Sequence, residues 1–167
     1  MRPSAAETYV LCGPMGCGKS TVGRALAARL GRRFIDTDES IVEQTGYPIE
    51  TIFATFGEPV FRLHETEALR RALDVAGAVV ALGGGALLAP ENRALIEERA
   101  RRIYLRARVE TLEARLAHSA VRRPLLAHAS IGTILAARVA LYEAAEITVD
   151  VDDLEPDAIA ARIAALL

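Results

Sequence analysis

The segment at residues 13–20 places the strongest constraint on how this chain folds. It reads G-P-M-G-C-G-K-S, which matches the G-x-x-x-x-G-K-S pattern of phosphate-binding loops. Its three glycines lack a Cβ, so the backbone can turn tightly and bring its N–H groups close to an anion. Lys19 adds a positive charge for the β- and γ-phosphates, and the Ser20 hydroxyl can ligate Mg²⁺. The segment therefore predicts a site for a nucleoside triphosphate.

The residues on both sides of this loop agree with the motif. Residues 9–12 form a short apolar run typical of a buried strand, and Val22, Leu26 and Leu30 recur at helical spacing after the loop. A strand, a glycine-rich loop and a helix in this order are the context that the motif requires. A glycine-rich turn that carries a lysine by chance is the alternative. Lys19 is the only lysine in the chain, which supports a functional role for it.

Composition narrows the class of protein. The chain has 167 residues, of which 51% are hydrophobic, and its net charge is −2. These values favour a single globular domain over residues 1–167 and give no electrostatic reason to bind nucleic acid. The sequence contains no run of about 18 apolar residues and no signal-peptide-like apolar segment near its start. We therefore expect no membrane association and a cytoplasmic location.

The two cysteines lie in the phosphate-binding region. Cys12 falls in the first predicted strand and Cys17 in the loop. A second pair of zinc ligands is missing, and a disulfide here would distort the loop, so we predict that both are reduced. Cys17 lies near a helix N-terminus and could be reactive; the plainer interpretation is a small loop residue.

Two carboxylates follow the next predicted strand, at residues 33–35. Asp36 and Asp38 lie where this strand ends, and open α/β sheets bind their ligands at the carboxyl ends of strands. Where a strand turns into a helix, both side chains can reach one site. The alternative for Asp38 is a simple helix N-cap.

Two further helices are predicted after the carboxylate pair. The G-Y-P segment at 46–48 breaks the first helix, a short helix follows it, and Glu58 opens a longer helix that runs to Leu73. On the longer helix Arg62 and Glu65 are three residues apart and are therefore neighbours. A weak surface ion pair is the alternative explanation for them.

The most strand-like run of the chain, residues 78–82, ends in Gly83, Gly84 and Gly85. Three glycines directly after a buried strand suggest that the backbone itself meets a ligand, and a flexible loop is the alternative. Many phosphate-loop ATPases carry a metal-binding aspartate at the end of such a strand, and this one does not. Asp36 is then the best candidate for the water shell of the metal.

The rest of the chain alternates helices and strands, which predicts a parallel sheet with helices on both sides. Helices are predicted at 92–99, 109–116, 131–145 and 156–166, and strands at 102–105 and 147–149. Residues 117–129 contain R-R-P-L-L and break helical periodicity, which suggests a lid whose arginine closes over the triphosphate. His118 and His128 in this segment are interpreted as solvated loop residues.

Taken together, these segments resemble the shikimate kinase family over about residues 8–166. The motifs that carry the resemblance are G-P-M-G-C-G-K-S-T-V-G-R at 13–24, D-T-D at 36–38, I-F…G-E…F-R-x-x-E at 52–65, G-G-G at 83–85, R-P-L-L at 123–126, and Arg138 with Leu141-Tyr142. The phosphate loop alone occurs in other families, but this set in this order is specific. Ala140 departs from the proline that family members often have before Leu-Tyr.

The resemblance implies a three-layer α/β/α phosphate-loop kinase fold with a five-stranded parallel sheet of order 2-3-1-4-5. It also implies a usually monomeric enzyme that needs ATP and Mg²⁺. Such an enzyme transfers the γ-phosphoryl group of MgATP to the 3-hydroxyl of shikimate, in the pathway to chorismate and the aromatic amino acids. Helices at about 38–73 would bind the substrate, and 117–129 would form the lid.

The resemblance further implies roles for individual residues. The residues expected to take part in the reaction are Lys19, Asp38 and Arg123. Those expected to bind the nucleotide are Gly13, Met15, Gly16, Cys17, Gly18, Lys19, Ser20, Thr21, Arg115 and Arg123. Those expected to bind shikimate are Asp38, Arg62, Glu65, Gly83, Gly84, Gly85 and Arg138. Those expected at the metal are Ser20 and Asp36.

Within this set, Asp38 would bind the reacting hydroxyl and act as a base. Arg62 and Arg138 would bind the carboxylate of shikimate, and Glu65 would orient Arg62. Arg115 is the candidate for stacking on adenine, although its spacing to Arg123 allows a one-residue slip.

Two other interpretations stay open at this point. A related kinase for gluconate or a nucleoside monophosphate could share the loop and the fold, but the D-T-D and F-R-x-x-E patterns favour shikimate. A nucleotide-binding switch or a degenerate homologue is the second. The N-K-x-D motif of GTPases is absent, and a degenerate homologue should have lost Lys19, Asp38 or Arg123.

Overall fold

The computed structural model describes residues 7–119, 126 and 129–167. The strands are β1 Thr8–Cys12, β2 Phe34–Asp36, β3 Val79–Ala81, β4 Ala100–Arg106 and β5 Ile147–Asp150. The α-helices are α1 Lys19–Leu30, α2 Thr37–Thr45, α3 Ile49–Phe56, α4 Glu58–Leu73, α5 Pro90–Arg99, α6 Val109–Ala117, α7 Ile131–Glu143 and α8 Pro156–Leu166. Most of the predicted lid, with Arg123 and His128, lies outside the described residues.

In the described part of the chain, the strands form one parallel sheet of order β2-β3-β1-β4-β5. β1 lies at the centre, where Tyr9 is paired with Val79 of β3 and Arg101 of β4. Every residue of β1 is buried, as expected when helices cover both faces of a parallel sheet. The predicted fold class and strand order are confirmed. In the same ranges, no helix has both the length and the apolar character needed to cross a membrane.

Alternate residues of β1 point into two separate apolar clusters, one on each face of the sheet. Tyr9 and Leu11 pack with residues of α1 and α8, whereas Val10 and Cys12 pack with residues of α4 and α5. The three layers follow from this alternation. Both cysteines are free, as predicted.

The end of β2 differs from the prediction by one residue, and the difference matters for the site. Asp36 still has an extended backbone, with φ −105° and ψ 122°, and α2 begins at the next residue. Asp36 is therefore the N-cap of α2, and its carboxylate accepts hydrogen bonds from the backbone N–H groups of Asp38 and Glu39. The alternative that Asp38 is the N-cap is wrong, because Asp38 already lies in the first turn.

Candidate active site

The loop between β1 and α1 leads directly into the first turn of α1. Gly18, the N-cap of α1, has a left-handed φ of 97°, and Gly16 has a φ of 86°. Residues that carry a side chain rarely adopt such backbone conformations, which explains why the motif needs glycine at both positions. Lys19 Nζ donates to the carbonyl oxygens of Gly13 at 2.8 Å and Pro14 at 3.0 Å, so its ammonium group lies across the loop.

Ser20 and Asp36 lie side by side at the edge of this loop. The Ser20 hydroxyl donates to Asp36 Oδ2 at 2.5 Å. The other oxygen, Oδ1, accepts the N–H groups of Asp38 at 2.9 Å and Glu39 at 3.2 Å, and the buried carboxylate is thereby fixed. Mg²⁺ prefers oxygen ligands and is usually bound through one or two carboxylates together with phosphates and water. A hydroxyl and a fixed carboxylate beside a phosphate loop fit this ion.

A cavity of about 260 Å³ opens against the loop. Its lining residues are Met15, Gly16, Gly18, Lys19, Ser20, Thr21, Asp36, Asp38, Leu82 and Gly84. All of them except Leu82 were predicted as site residues. Asp36 and Asp38 reach this one cavity from the strand-to-helix turn, which is the arrangement expected from their positions in the sequence.

Thr37, between the two carboxylates, connects them to the glycine turn after β3. Its side chain is fully buried, and its hydroxyl oxygen accepts the N–H of Gly83 at 3.0 Å and lies 3.3 Å from the carbonyl oxygen of Ala81. The D-T-D motif contains this residue, but the sequence assigned no role to it. A hydroxyl between two acids at a strand end was the signal that could have found it. The contact fixes the first turn of α2, and with it Asp38, to the end of β3.

Replacement of Thr37 by valine should disturb this connection. Valine keeps the shape but not the hydroxyl, so the buried N–H of Gly83 loses its acceptor, at a cost of about 1–3 kcal/mol in the free energy of unfolding. We expect the Thr37→Val variant to be less stable, as measured by denaturant unfolding. In steady-state kinetics, its kcat should fall by a larger factor than its KM changes. Thr37→Ser keeps the hydroxyl and is the control. Equal behaviour of the two variants would contradict the role of the hydrogen bond.

Arg62 and Glu65 form an ion pair on α4, with 2.7 Å between Nη1 and Oε2. The Glu65 side chain is only 1% exposed, and burial raises its pKa against the opposing effect of Arg62. Its Oε1 atom has no hydrogen-bond partner among the described residues. The alternative of a weak surface ion pair is therefore wrong, because a buried carboxylate depends on its cation.

Arg138 reaches the same region from α7. Its Nη1 donates to the carbonyl oxygen of Gly84 at 3.1 Å, and the Tyr142 hydroxyl donates to the same oxygen at 2.8 Å. The Tyr142 ring stacks on Tyr104 of β4, with 5.4 Å between ring centroids. Both donor groups are buried, so they hold the carbonyl of Gly84 in a fixed direction.

Each glycine of the turn lies against a different predicted substrate residue. A Cβ at Gly83 would lie 2.6 Å from Asp38 Oδ1, and a Cβ at Gly85 would lie 2.6 Å from Arg62 Nη1. Gly84 contacts Arg138 through the hydrogen bond described above. Side chains of α2, α4 and α7 thus converge on one short piece of backbone, and any larger residue at its first or third position would push them away.

Arg115 of α6 lies against the outer side of the phosphate loop. Its Nη1 donates to the carbonyl oxygens of Cys17 at 3.2 Å and Gly16 at 3.4 Å, and its Nη2 donates to that of Val151 at 3.2 Å. The Cys17 side chain is fully buried in the core, which favours the packing interpretation over a reactive thiol. Any contact between Cys17 and phosphate would therefore involve its backbone.

Two other predicted positions shape the site or lie at its margin. Gly13 has a φ of 144°, and a Cβ there would lie 2.8 Å from the carbonyl oxygen of Leu105. His118 is exposed and its ring nitrogen Nδ1 lies 2.8 Å from the carbonyl oxygen of Ala114, in agreement with a solvated residue. Arg123 lies outside the described residues, so its place above the phosphates stays a prediction.

A parallel sheet of this order, with a phosphate loop after β1 and a carboxylate pair after β2, defines a phosphate-loop kinase of small molecules. The family model for shikimate kinase matches residues 15–167. A shikimate kinase of Stenotrophomonas maltophilia is 46% identical over 152 residues, which cover 88% of this chain and 84% of the relative. The chain belongs to the shikimate kinase family, and it is an ATP-dependent phosphotransferase with an alcohol acceptor.

Solved structures agree with this assignment. The shikimate kinase of Acinetobacter baumannii in complex with shikimate superposes with a TM-score of 0.90 at 36% identity, covering 96% of this chain and 92% of that one. The match to a gluconokinase of Sinorhizobium meliloti covers 99% of this chain and 97% of the gluconokinase chain. Its TM-score is 0.59 at 22% identity, so this likeness is one of fold alone.

Proposed function

We propose that this chain transfers the γ-phosphoryl group of ATP to the 3-hydroxyl of shikimate and releases shikimate 3-phosphate and ADP. The observation that carries the proposal is the convergence of two largely buried arginines, Arg62 and Arg138, on the glycine turn beside Asp38. Two guanidinium groups suit a carboxylate, and an aspartate suits a hydroxyl. The acceptor they fit is an acid that also carries hydroxyl groups. Shikimate is such an acid, and the A. baumannii relative binds it.

The nucleotide half of the site is assigned to the loop and the residues that touch it. The backbone N–H groups of the loop and the ammonium of Lys19 bind the phosphates, in the cavity lined by Met15, Gly16 and residues 18–21. Arg115 contacts the adenine from its position on α6 beside the loop, and Arg123 closes from the lid onto the transferred phosphate. The lid excludes water, so that ATP is not hydrolysed.

Mg²⁺ is assigned to Ser20 and to the carboxylate of Asp36, the latter acting through the water shell of the ion. The ion, when bound, neutralises charge on the phosphate oxygens. The chain holds the two oxygens in place itself, because the backbone of α2 fixes one side of the Asp36 carboxylate and Ser20 contacts the other.

The acceptor half of the site positions a hydroxyl for in-line attack. Arg62 and Arg138 bind the carboxylate of shikimate, Glu65 orients Arg62, and the backbone of the glycine turn supplies further contacts. The 3-hydroxyl oxygen attacks the γ-phosphorus, the bond from that phosphorus to the β,γ-bridging oxygen breaks, and the hydroxyl proton passes to the Asp38 carboxylate. Positioning and charge neutralisation supply most of the rate enhancement in such reactions.

Asp36→Asn should raise the requirement for Mg²⁺ while leaving α2 intact. Asparagine can still cap the helix through its side-chain oxygen, but it lacks the charge that orders the water shell of the ion. We expect an increase of about 10- to 100-fold in the Mg²⁺ concentration at half-maximal activity. The melting temperature of the variant, measured with and without Mg·ADP, provides a second readout of binding at the metal site. An unchanged Mg²⁺ requirement would remove Asp36 from the metal site.

The proposed function is tested by ADP release from MgATP with shikimate, gluconate or AMP as the acceptor. We expect turnover with shikimate alone. Turnover only with another acceptor would leave the phosphate site in place but show that Arg62, Arg138 and the glycine turn do not bind shikimate. We also propose that the protein acts as a monomer in the cytoplasm, as the family usually does, which sedimentation and fractionation can check.

A further inference from the structure

Glu58, in the first turn of α4, contacts the same arginine that is assigned to the substrate carboxylate. Its Oε1 accepts from Arg62 Nη2 at 2.9 Å and from Arg62 Nε at 3.2 Å. The remaining nitrogen, Nη1, donates to Glu65. All three nitrogens of the Arg62 guanidinium therefore have carboxylate partners.

The edge that Glu58 occupies is the one that an incoming carboxylate needs. A guanidinium binds a carboxylate most strongly through two parallel N–H groups on one edge. The end that carries Nη1 and Nη2 lies against Gly85, since a Cβ there would be 2.6 Å from Nη1 and 2.8 Å from Nη2. Nη1 already donates to Glu65. The edge that can bind an incoming carboxylate is therefore the one formed by Nε and Nη2, and Glu58 occupies that edge.

The two acidic partners of Arg62 differ in how easily they can be displaced. The side chain of Glu65 is 1% exposed, whereas that of Glu58 is 53% exposed. Releasing Glu65 would leave a charge buried, but Glu58 can turn into water and keep its hydration. Its position in the first turn of α4 also favours its negative charge after release.

We propose that Glu58 is an internal competitor for the substrate carboxylate at Arg62, displaced into solvent when shikimate binds. This inference rests on the proposed function, because it concerns the same acceptor site. Glu58 keeps the guanidinium extended and neutralised before the substrate arrives. It also adds specificity, because a ligand without an anionic group cannot replace it, whereas an acid exchanges one carboxylate for another.

The test is the KM for shikimate in a Glu58→Gln variant. Removing the competing charge should lower this KM by about two- to fivefold, the range expected for an exposed ion pair. We expect kcat to change less than about twofold and the KM for ATP to stay the same. The matched control is Glu67→Gln on the same helix, because Glu67 pairs with Arg71 at 2.9 Å in the same i,i+4 arrangement. This control should change neither KM.

A second arm uses the methyl ester of shikimate, which lacks the negative charge. Calorimetry should show tighter binding of shikimate to Glu58→Gln than to the wild type, and no gain for the ester. An unchanged or higher KM for shikimate in the variant would overturn the proposal, as would an equal gain for the ester or for ATP. If the wild-type protein itself does not phosphorylate shikimate, the proposed function fails instead, and the two failures are thereby distinguished.

Discussion

Asp38→Asn should lower kcat for shikimate by about 10²- to 10⁴-fold, the usual contribution of a general base. Asparagine has the shape of aspartate and can still contact the acceptor hydroxyl, but it cannot take up the proton. The Asp38 side chain is held in place because it lies against Gly83. It lines the same cavity as the phosphate loop. Steady-state kinetics with shikimate and MgATP measures the effect, which should fall mainly on kcat.

The matched control for this prediction is Glu39→Gln, one residue further along α2. Glu39 is exposed and pairs with Arg24, away from the glycine turn. It should keep near-normal turnover, and both variants should melt within a few degrees of the wild type. Near-normal turnover in Asp38→Asn would show that the carboxylate is not the base and that positioning alone carries the reaction.

Arg62→Ala should raise the KM for shikimate by about 10- to 100-fold, as expected for the loss of charge-assisted hydrogen bonds to a carboxylate. The substitution should also reduce stability, by up to about 3 kcal/mol, because Glu65 is then buried without its cation. Burial already raises the pKa of Glu65, and loss of Arg62 raises this pKa further. A raised carboxyl pKa favours the protonated folded form, so the stability loss should be smaller in acid than at neutral pH.

Arg62→Lys separates these two effects. Lysine keeps a positive charge next to Glu65 but lacks the planar edge that binds a carboxylate in two places. We expect this variant to recover most of the stability while its KM for shikimate stays high, as measured by thermal unfolding and kinetics. A normal KM for shikimate in Arg62→Ala would show that another group binds the carboxylate.

The elements that flank the phosphate loop follow from local sequence. The phosphate loop is recognisable because its glycines and Lys19 occur at fixed spacing between a strand and a helix, and the structure has both elements there. The error at the carboxylate pair was one of boundary. Asp36 rather than Asp38 caps α2, because the cap is set by where the backbone leaves the extended conformation, and both aspartates suit that position chemically.

Contacts between distant parts of the chain were not predictable in the same way. Thr37 meets Gly83 across 46 positions, and Tyr142 meets Gly84 across 58. Such pairs depend on how the helices pack against the sheet, and the spacing of apolar residues along the sequence does not predict that packing. The burial of Glu65 was missed for the same reason, since spacing on a helix shows that two residues are neighbours but not that a loop covers them. The roles of the site residues stay predictions, those of Arg115 and Arg123 included.

The glycine turn has a consequence for how this enzyme can diverge. It follows the end of β3 and lies against Asp38, Arg62 and Arg138, which come from three different helices. Because backbone atoms make these contacts, the turn offers no side chain to exchange when a new acceptor is selected. Changes in acceptor preference must therefore arise on the helices that surround the glycine turn. A substitution that moves one of these helices alone will misalign it with the other two.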